Sequence, residues 1–180
     1  MRFTAALLAL ALVLPVSLFI GYDLSAFQSR KAEISTLLSQ ATHDERQLSP
    51  QMSGLVRVST GGNTTTLSAR ILIEELRVPQ VGESMFGWHA TSLLWWAYCA
   101  IHLSEQERLT LIASRSWMGN GRYGYSAEAL ARFQRPLSSL SLAEAATLVA
   151  LAHSPSLFAS SPERLARRRD WLLRQMQNDP

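Results

Sequence analysis

Apolar residues in this chain fall into separate runs, and wherever their spacing is regular it is helical. The first run, Phe3 to Ile20, is continuous and uncharged, close to the length a membrane span needs. Leu24, Phe27, Ile34, Leu37 and Leu38 then recur at roughly helical spacing, which predicts partial helix between Asp23 and Arg46. Leu48 to Thr66 holds Pro50, Gly54, Gly61 and Gly62 among many hydroxyl residues and reads as loop. Within it, only Leu55 to Ser59 hints at alternation. A helix is predicted from near Thr66 to Arg77, stopped by Pro79 and Gly82. Leu93 to Ile101, with Trp95 and Trp96, reads as a buried helix.

The second half carries helix punctuation. Ser104-Glu105-Gln106-Glu107, Ser141-Leu142-Ala143-Glu144 and Ser160-Ser161-Pro162-Glu163 each fit a capping box, in which a Ser oxygen and a Glu carboxylate satisfy early backbone N–H groups. Pro162 suits a first helical turn. Helices are therefore predicted to start near 104, 141 and 161. Gly119-Asn120-Gly121 is read as the end of the first of them. The predicted fold class is all-α.

Composition adds bounds. The chain has 180 residues, 47% hydrophobic, with net charge +3, enough for one packed domain and an appendage. So modest a charge, with Arg spread along the chain, argues against a nucleic-acid partner. Arg164, Arg167, Arg168, Arg169 and Arg174 alternate with Glu163 and Asp170 as a solvated helix face would; contact with anionic lipid or pyrophosphate is the sharper reading. Cys99 is the single cysteine, so no disulfide forms within the chain, and its apolar surroundings predict a buried, inert thiol. His89, His102 and His153 lack a metal-ligand spacing. Trp88, Trp95 and Trp96 are read as core or membrane-interface aromatics. The Phe3–Ile20 run reads as a retained anchor rather than a cleaved leader, because no small-x-small site ends it. Arg2 on one side and Arg30 and Lys31 on the other leave its orientation open. The expected organisation is an anchor over 1–22, a juxtamembrane segment over 23–46 and a helical domain over 47–180.

Trp117 to Ser156 reads W-M-G-N-G-R-Y-G-Y-S-A-E-A-L-A-R-F-Q-R-P-L-S-S-L-S-L-A-E-A-A-T-L-V-A-L-A-H-S-P-S. With Ser104 to Ser116 before it, this resembles the C-terminal half of the family 51 peptidoglycan glycosyltransferase domain. Leu109 and Leu111 take apolar positions of the family's K-x-x-I-L-x-x-Y-L-N motif. Ser114 stands where the family has Asn, and Arg115 follows. Gly119-Asn120-Gly121 and Tyr123-Gly124 match the glycine segment after it. Phe133, Arg135-Pro136, Leu140 and Leu142-Ala143-Glu144-Ala145-Ala146 resemble its F-G-K-P and L-x-L-x-E-A-A run. Ser154-Pro155-Ser156, Pro162-Glu163-Arg164, Arg167-Arg168 and Leu172-Leu173 resemble its tail. Upstream, Gly61-Gly62-Asn63-Thr64-Thr65-Thr66 looks like G-G-S-T-I-T, with Leu67-Ser68 in place of Gln-Gln. Ala41 to Arg46 is the nearest counterpart of E-D-x-x-F-x-x-H, with His43 at the Glu position and Asp44 beside it. Counting back from Ser104 puts Trp88-His89 and Ser92 where R-K-x-x-E belongs, so the second carboxylate is replaced as well.

The resemblance implies a lysozyme-like helical lobe behind an N-terminal transmembrane helix, on the outer side of the bacterial cytoplasmic membrane. The implied reaction joins the 4-hydroxyl of one lipid-linked disaccharide to the anomeric carbon of another, expelling polyprenyl pyrophosphate. A carboxylate must accept the hydroxyl proton, worth about 10²–10⁴-fold, and cations must take up the charge on the leaving group. His43, Asp44 and Glu45 are the catalytic candidates. Thr64, Thr66, Arg115, Asn120 and Arg135 are the substrate-binding candidates. No resident cofactor is implied beyond a divalent cation, and no metal-binding residues are proposed. The expected partners are the lipid-linked precursor, the membrane and a cell-wall synthase. Two functions are expected in order: an impaired glycosyltransferase, and a non-catalytic domain binding the precursor or a synthase.

Overall fold

The computed structural model describes residues 13–82 and 84–178. The first part of the expected anchor, residues 1–12, lies outside the described residues. Helix α1 covers 13–22; among the described residues no helix is long and apolar enough to cross a membrane. A π-helical turn (Asp23–Phe27) and a 3-10 turn (Gln28–Arg30) lead into α2 (Lys31–Ser39) and the single turn α3 (His43–Arg46). Then come α4 (Pro50–Ser59), α5 (Thr64–Glu75), α6 (Met85–His102) and α7 (Glu105–Arg115). A small antiparallel hairpin, β1 (Trp117–Gly119) and β2 (Arg122–Tyr123), precedes α8 (Tyr125–Phe133), α9 (Leu142–His153), α10 (Pro155–Ala159) and α11 (Pro162–Asn178).

The helical expectation holds, with local corrections. Leu48–Thr66 is not loop: α4 occupies its middle. Ser49 accepts from the Met52 N–H at 3.2 Å, and Pro50 sits in the first turn, where its missing N–H costs nothing. Gly54 is helical because Met176 of α11 packs there; a Cβ would lie 2.9 Å from the Met176 Cε. Gly119-Asn120-Gly121 does not end a helix. It turns the β-hairpin, with Asn120 at φ 52°, while α7 stops earlier, at Arg115. The boxes at Ser104 and Ser141 form as expected, and an unforeseen third joins Thr42 to Glu45. Ser160 does not cap: its hydroxyl donates back to Ser156 and Leu157 carbonyls. The expected buried helix extends to Met85–His102 and is buried on one side only. Trp95, Tyr98 and Cys99 are fully enclosed, while Phe86, Leu93, Trp96 and Ile101 face outward.

Two apolar clusters organise the molecule. In the larger, α9 is enclosed on nearly every side, with Ala146, Leu148, Val149, Ala150 and Leu151 among α4, α11 and α8. Its small residues let α4 and α11 approach closely. The second cluster joins Phe27 and Ile34 to Leu72, Trp95, Tyr98 and Leu111. It fastens the segment after α1 to the body of the fold. The Tyr98 hydroxyl donates to the Phe19 carbonyl at 2.8 Å, and His102 Nε2 meets Asp23 Oδ1 at 3.0 Å.

One carboxylate is buried for structural reasons alone. Glu128, 1% exposed, takes the Arg122 Nε–H at 2.6 Å on one oxygen and the Arg132 Nε–H at 3.0 Å on the other. It thereby clamps the hairpin onto α8. Losing one member of a fully buried pair costs about 3–5 kcal/mol; both arginines are a third exposed, which lowers the figure. Glu128→Ala is expected to reduce unfolding free energy by about 2–3 kcal/mol. The check is a urea titration in which the midpoint falls and the slope is unchanged.

Candidate functional site

The main groove runs between α4, α5, α7 and α9 and encloses about 750 Å³. Its floor is apolar: Val56, Ile71, Ile112, Val149 and Ala152 are drawn from the large core and its margin. Its rim is charged. Arg70, Glu74 and Glu75 come from one side of α5, Arg77 from the turn after it, Arg115 from the last turn of α7, and His153 from the end of α9. Trp117 and Tyr123 add exposed aromatic surface. Helical spacing explains the α5 contribution, since 67, 70, 71 and 74 fall on one face. Burial, and then the Arg168 guanidinium, hold the His153 imidazole below its ordinary range, so at neutral pH it adds no charge to the rim.

A second hollow of about 370 Å³ lies beside it, lined by Gln40, Thr42, Glu45, Ser114, Arg115, Tyr123, Ser126 and Ala127. Arg115 and Tyr123 belong to both. The Arg115 Nη2 donates to Gln40 Oε1 at 2.5 Å and to the Leu37 carbonyl at 3.3 Å, while its Nε–H is buried without a partner.

The three catalytic candidates sit together on α3, outside the main groove. Glu45 is 4% exposed and engaged on both oxygens. One accepts the Thr42 N–H and hydroxyl, each at 3.0 Å; the other accepts the Ser126 N–H at 3.0 Å. Asp44 accepts the Ser138 N–H at 3.0 Å. His43 is exposed at the helix start. The substrate-binding candidates are dispersed. Thr64 is buried, its hydroxyl accepting from Arg108 Nε at 3.4 Å. Thr66 is exposed in the first turn of α5, its N–H donated to the Asn63 side chain. Asn120 is at the exposed hairpin tip. Arg135 pairs with Glu144 at 3.1 Å and donates to the Ser139 carbonyl. Of the five, Arg115 alone lines the groove.

Sequence reasoning missed Arg70, Glu74, Glu75 and Arg77. Their i, i+4, i+5, i+7 spacing was readable, but it gains meaning only once α4 and α9 supply the facing wall. Cys99 is fully buried, with its thiol pushed up to about 12 mainly by burial, so it is inert as expected. No three His, Cys, Asp or Glu side chains converge among the described residues.

The lobe thus offers a groove, between an upstream helix pair and a buried central helix, whose rim carries guanidiniums and carboxylates. The comparisons narrow this. Residues 97–177 match the family described as Transglycosylase. Across 121 residues, 66% of this chain, the sequence is 29% identical to penicillin-binding protein 1A of Pseudomonas aeruginosa, and the match covers 14% of that protein. The chain thus spans about a seventh of its curated relative. The family-matched part runs from the middle of α6 into α11, less than half of the chain, and likeness to a transglycosylase domain is what these matches support.

Gly124 connects this scaffold to the α3 carboxylates. It adopts φ 85°, and a Cβ there would lie 2.8 Å from Glu45 Oε1 and 2.9 Å from the Ser114 carbonyl. Gly124→Ala is therefore expected to break the Glu45–Ser126 bond and destabilise the fold by about 2–3 kcal/mol, combining backbone strain with an uncompensated buried carboxylate. Thermal unfolding measures the loss. Amide exchange at Ser126 should accelerate beyond that at core amides of α9.

Proposed function

We propose that this protein is a peptidoglycan glycosyltransferase-like component of the bacterial cell envelope, with weak or absent polymerising activity. It takes the lipid-linked disaccharide in the α4–α5–α7–α9 groove. The Phe3–Ile20 run serves as a single-pass anchor in the cytoplasmic membrane, with the helical lobe on the outer face. A cell-wall synthase is the natural protein partner.

The observation that carries impairment is the engagement of Asp44 and Glu45. A general base must present a free lone pair within hydrogen-bond reach of the hydroxyl it deprotonates. Both Glu45 oxygens already accept from Thr42 and Ser126, and Asp44 accepts from the Ser138 backbone. Recruiting Glu45 would leave partly buried donors unpaired, at about 1–3 kcal/mol each; the Ser138 N–H on Asp44 is exposed, so releasing it costs less. His43 carries an imidazole where the resemblance calls for a carboxylate. The second reading, a binding or accessory domain with no turnover, is favoured by the same engagement, and by the groove's retaining its cations and aromatics.

Purified full-length protein in detergent should bind lipid-linked disaccharide saturably, with Arg115→Ala weakening binding about tenfold, as loss of a charge-assisted contact implies. Polymer formation should be absent or slower than that of an intact relative by about 10²–10⁴-fold, the worth of a general base. Asp44→Asn and Glu45→Gln should lower the melting temperature without changing any residual turnover. Rapid polymerisation abolished by either substitution would sink impairment; failure of the wild type to bind the precursor would sink the reading as a whole.

A further inference from the structure

Helix α6 contains no Asp, Glu, Lys or Arg from Met85 to His102. A helix that is largely apolar all round is normally covered all round, yet the fold covers only one side of this one. Gly87, Thr91, Trp95, Tyr98 and Cys99 face the body of the molecule and are buried. On the opposite face Phe86 is 79% exposed, Leu93 66% and Ile101 63%. Met85, Trp88 and Trp96 are exposed as well. Taking about 150–250 Å² for a large side chain, these six leave roughly 700 Å² of mostly apolar surface open. A soluble lobe rarely exposes so large a patch without a use for it.

The open positions have a register. Phe86, His89, Leu93, Trp96 and Ala100 are all exposed and fall at alternating spacings of three and four, the seam that one helix offers another. Lipid requires no such repeat, and helices lying among lipid headgroups carry Lys or Arg, which α6 lacks. The positions flanking the seam, Ala90, Ser92 and Ala97, are small, so a second backbone can come close. They are also uncharged. Charges at such positions select a foreign helix and exclude a like one; here nothing repels an identical face. The open area is also near the ~800 Å² per partner that a stable protein pair buries.

We propose that the outer face of α6 is a dimer interface, occupied by α6 of a second copy packed antiparallel about a twofold axis near Leu93. In a twofold pair each copy presents the same patch to the other. The antiparallel sense follows from side-chain size. It sets the bulky Phe86 end of one copy against the small Ala100 of the other, whereas a parallel pair would stack Trp96 on Trp96 and His89 on His89. No residue of α6 lines the groove between α4, α5, α7 and α9, so the pair uses none of the groove's side chains. The inference stands apart from the glycosyltransferase-like reading and does not rest on it.

Sedimentation velocity of the full-length protein in mild detergent should give twice the mass of the chain. Leu93→Glu and Phe86→Glu, both at exposed positions, should leave helix content and melting temperature as in wild type. Each should raise the dimer dissociation constant at least about thirtyfold, the loss expected for a central apolar anchor. Orientation is read in lipid vesicles, where detergent cannot separate the copies. Leu93→Cys should form a disulfide with itself on mild oxidation and Phe86→Cys should not; Cys99 is enclosed and gives no background. Absence of the Leu93→Cys disulfide in vesicles overturns the proposal whatever the mass in detergent. Fluorescence quenching by brominated lipid that Trp96→Phe removes would then identify the occupant as bilayer. Cross-linking through Phe86→Cys overturns the antiparallel pair, and a dimer that survives both Glu substitutions overturns α6 as its interface.

Discussion

The Glu45 carboxylate is the contact on which the arrangement around the site depends. It closes the capping box of α3 through Thr42 and, with its other oxygen, takes the Ser126 N–H in the first turn of α8. Two chain segments more than eighty residues apart are thereby held by one buried group. The contact is feasible only because Gly124 has no side chain; a Cβ there would occupy the space of the carboxylate oxygen. Burying a carboxylate is costly unless donors meet it, and here two backbone N–H groups and a hydroxyl engage both oxygens. Glu45 is thus a structural group by its bonding, and the hollow beside it inherits its shape from that bond.

The same logic explains how the other charges are distributed. Glu128 is consumed in clamping the hairpin, Asp44 in holding the turn before Ser138, Glu144 in capping α9. The carboxylates left at the groove are Glu74 and Glu75, beside cations that the fold does not otherwise pair. On the proposed reading this is a division of labour between the two halves of the chain. The family-matched half supplies the rigid scaffold and Arg115; the upstream half supplies most of the charge that a ligand would meet.

Much of the scaffold was legible beforehand because it is written in local grammar. The boxes at Ser104 and Ser141 need only residues three apart, and both formed where the pattern placed them. Leu48–Thr66 misled because Pro50, Gly54 and the hydroxyls look like loop chemistry. Ser49 and Pro50 are in fact a helix start, and Gly54 is small to admit Met176 from the far end of the chain, which no local pattern encodes. Gly119-Asn120-Gly121 misled in the opposite sense: left-handed residues serve a hairpin turn as well as a helix end. The site was less legible than the fold for the same reason. Arg115 could be picked out by its place after a motif. Arg70 and Arg77 acquire a role only when α4, α7 and α9 close a groove in front of α5.

Binding and turnover make different geometric demands, and that difference lets the proposed function hold together. Charge attraction falls off slowly with distance, so a pyrophosphate group can be held by guanidiniums placed on several elements with some tolerance. Proton transfer has no such tolerance: a displacement of about 1 Å can cost about 10²-fold in rate. On the proposed reading, a chain whose Glu45 is held by Thr42 and Ser126 retains a ligand-holding groove while its capacity to activate a hydroxyl is reduced.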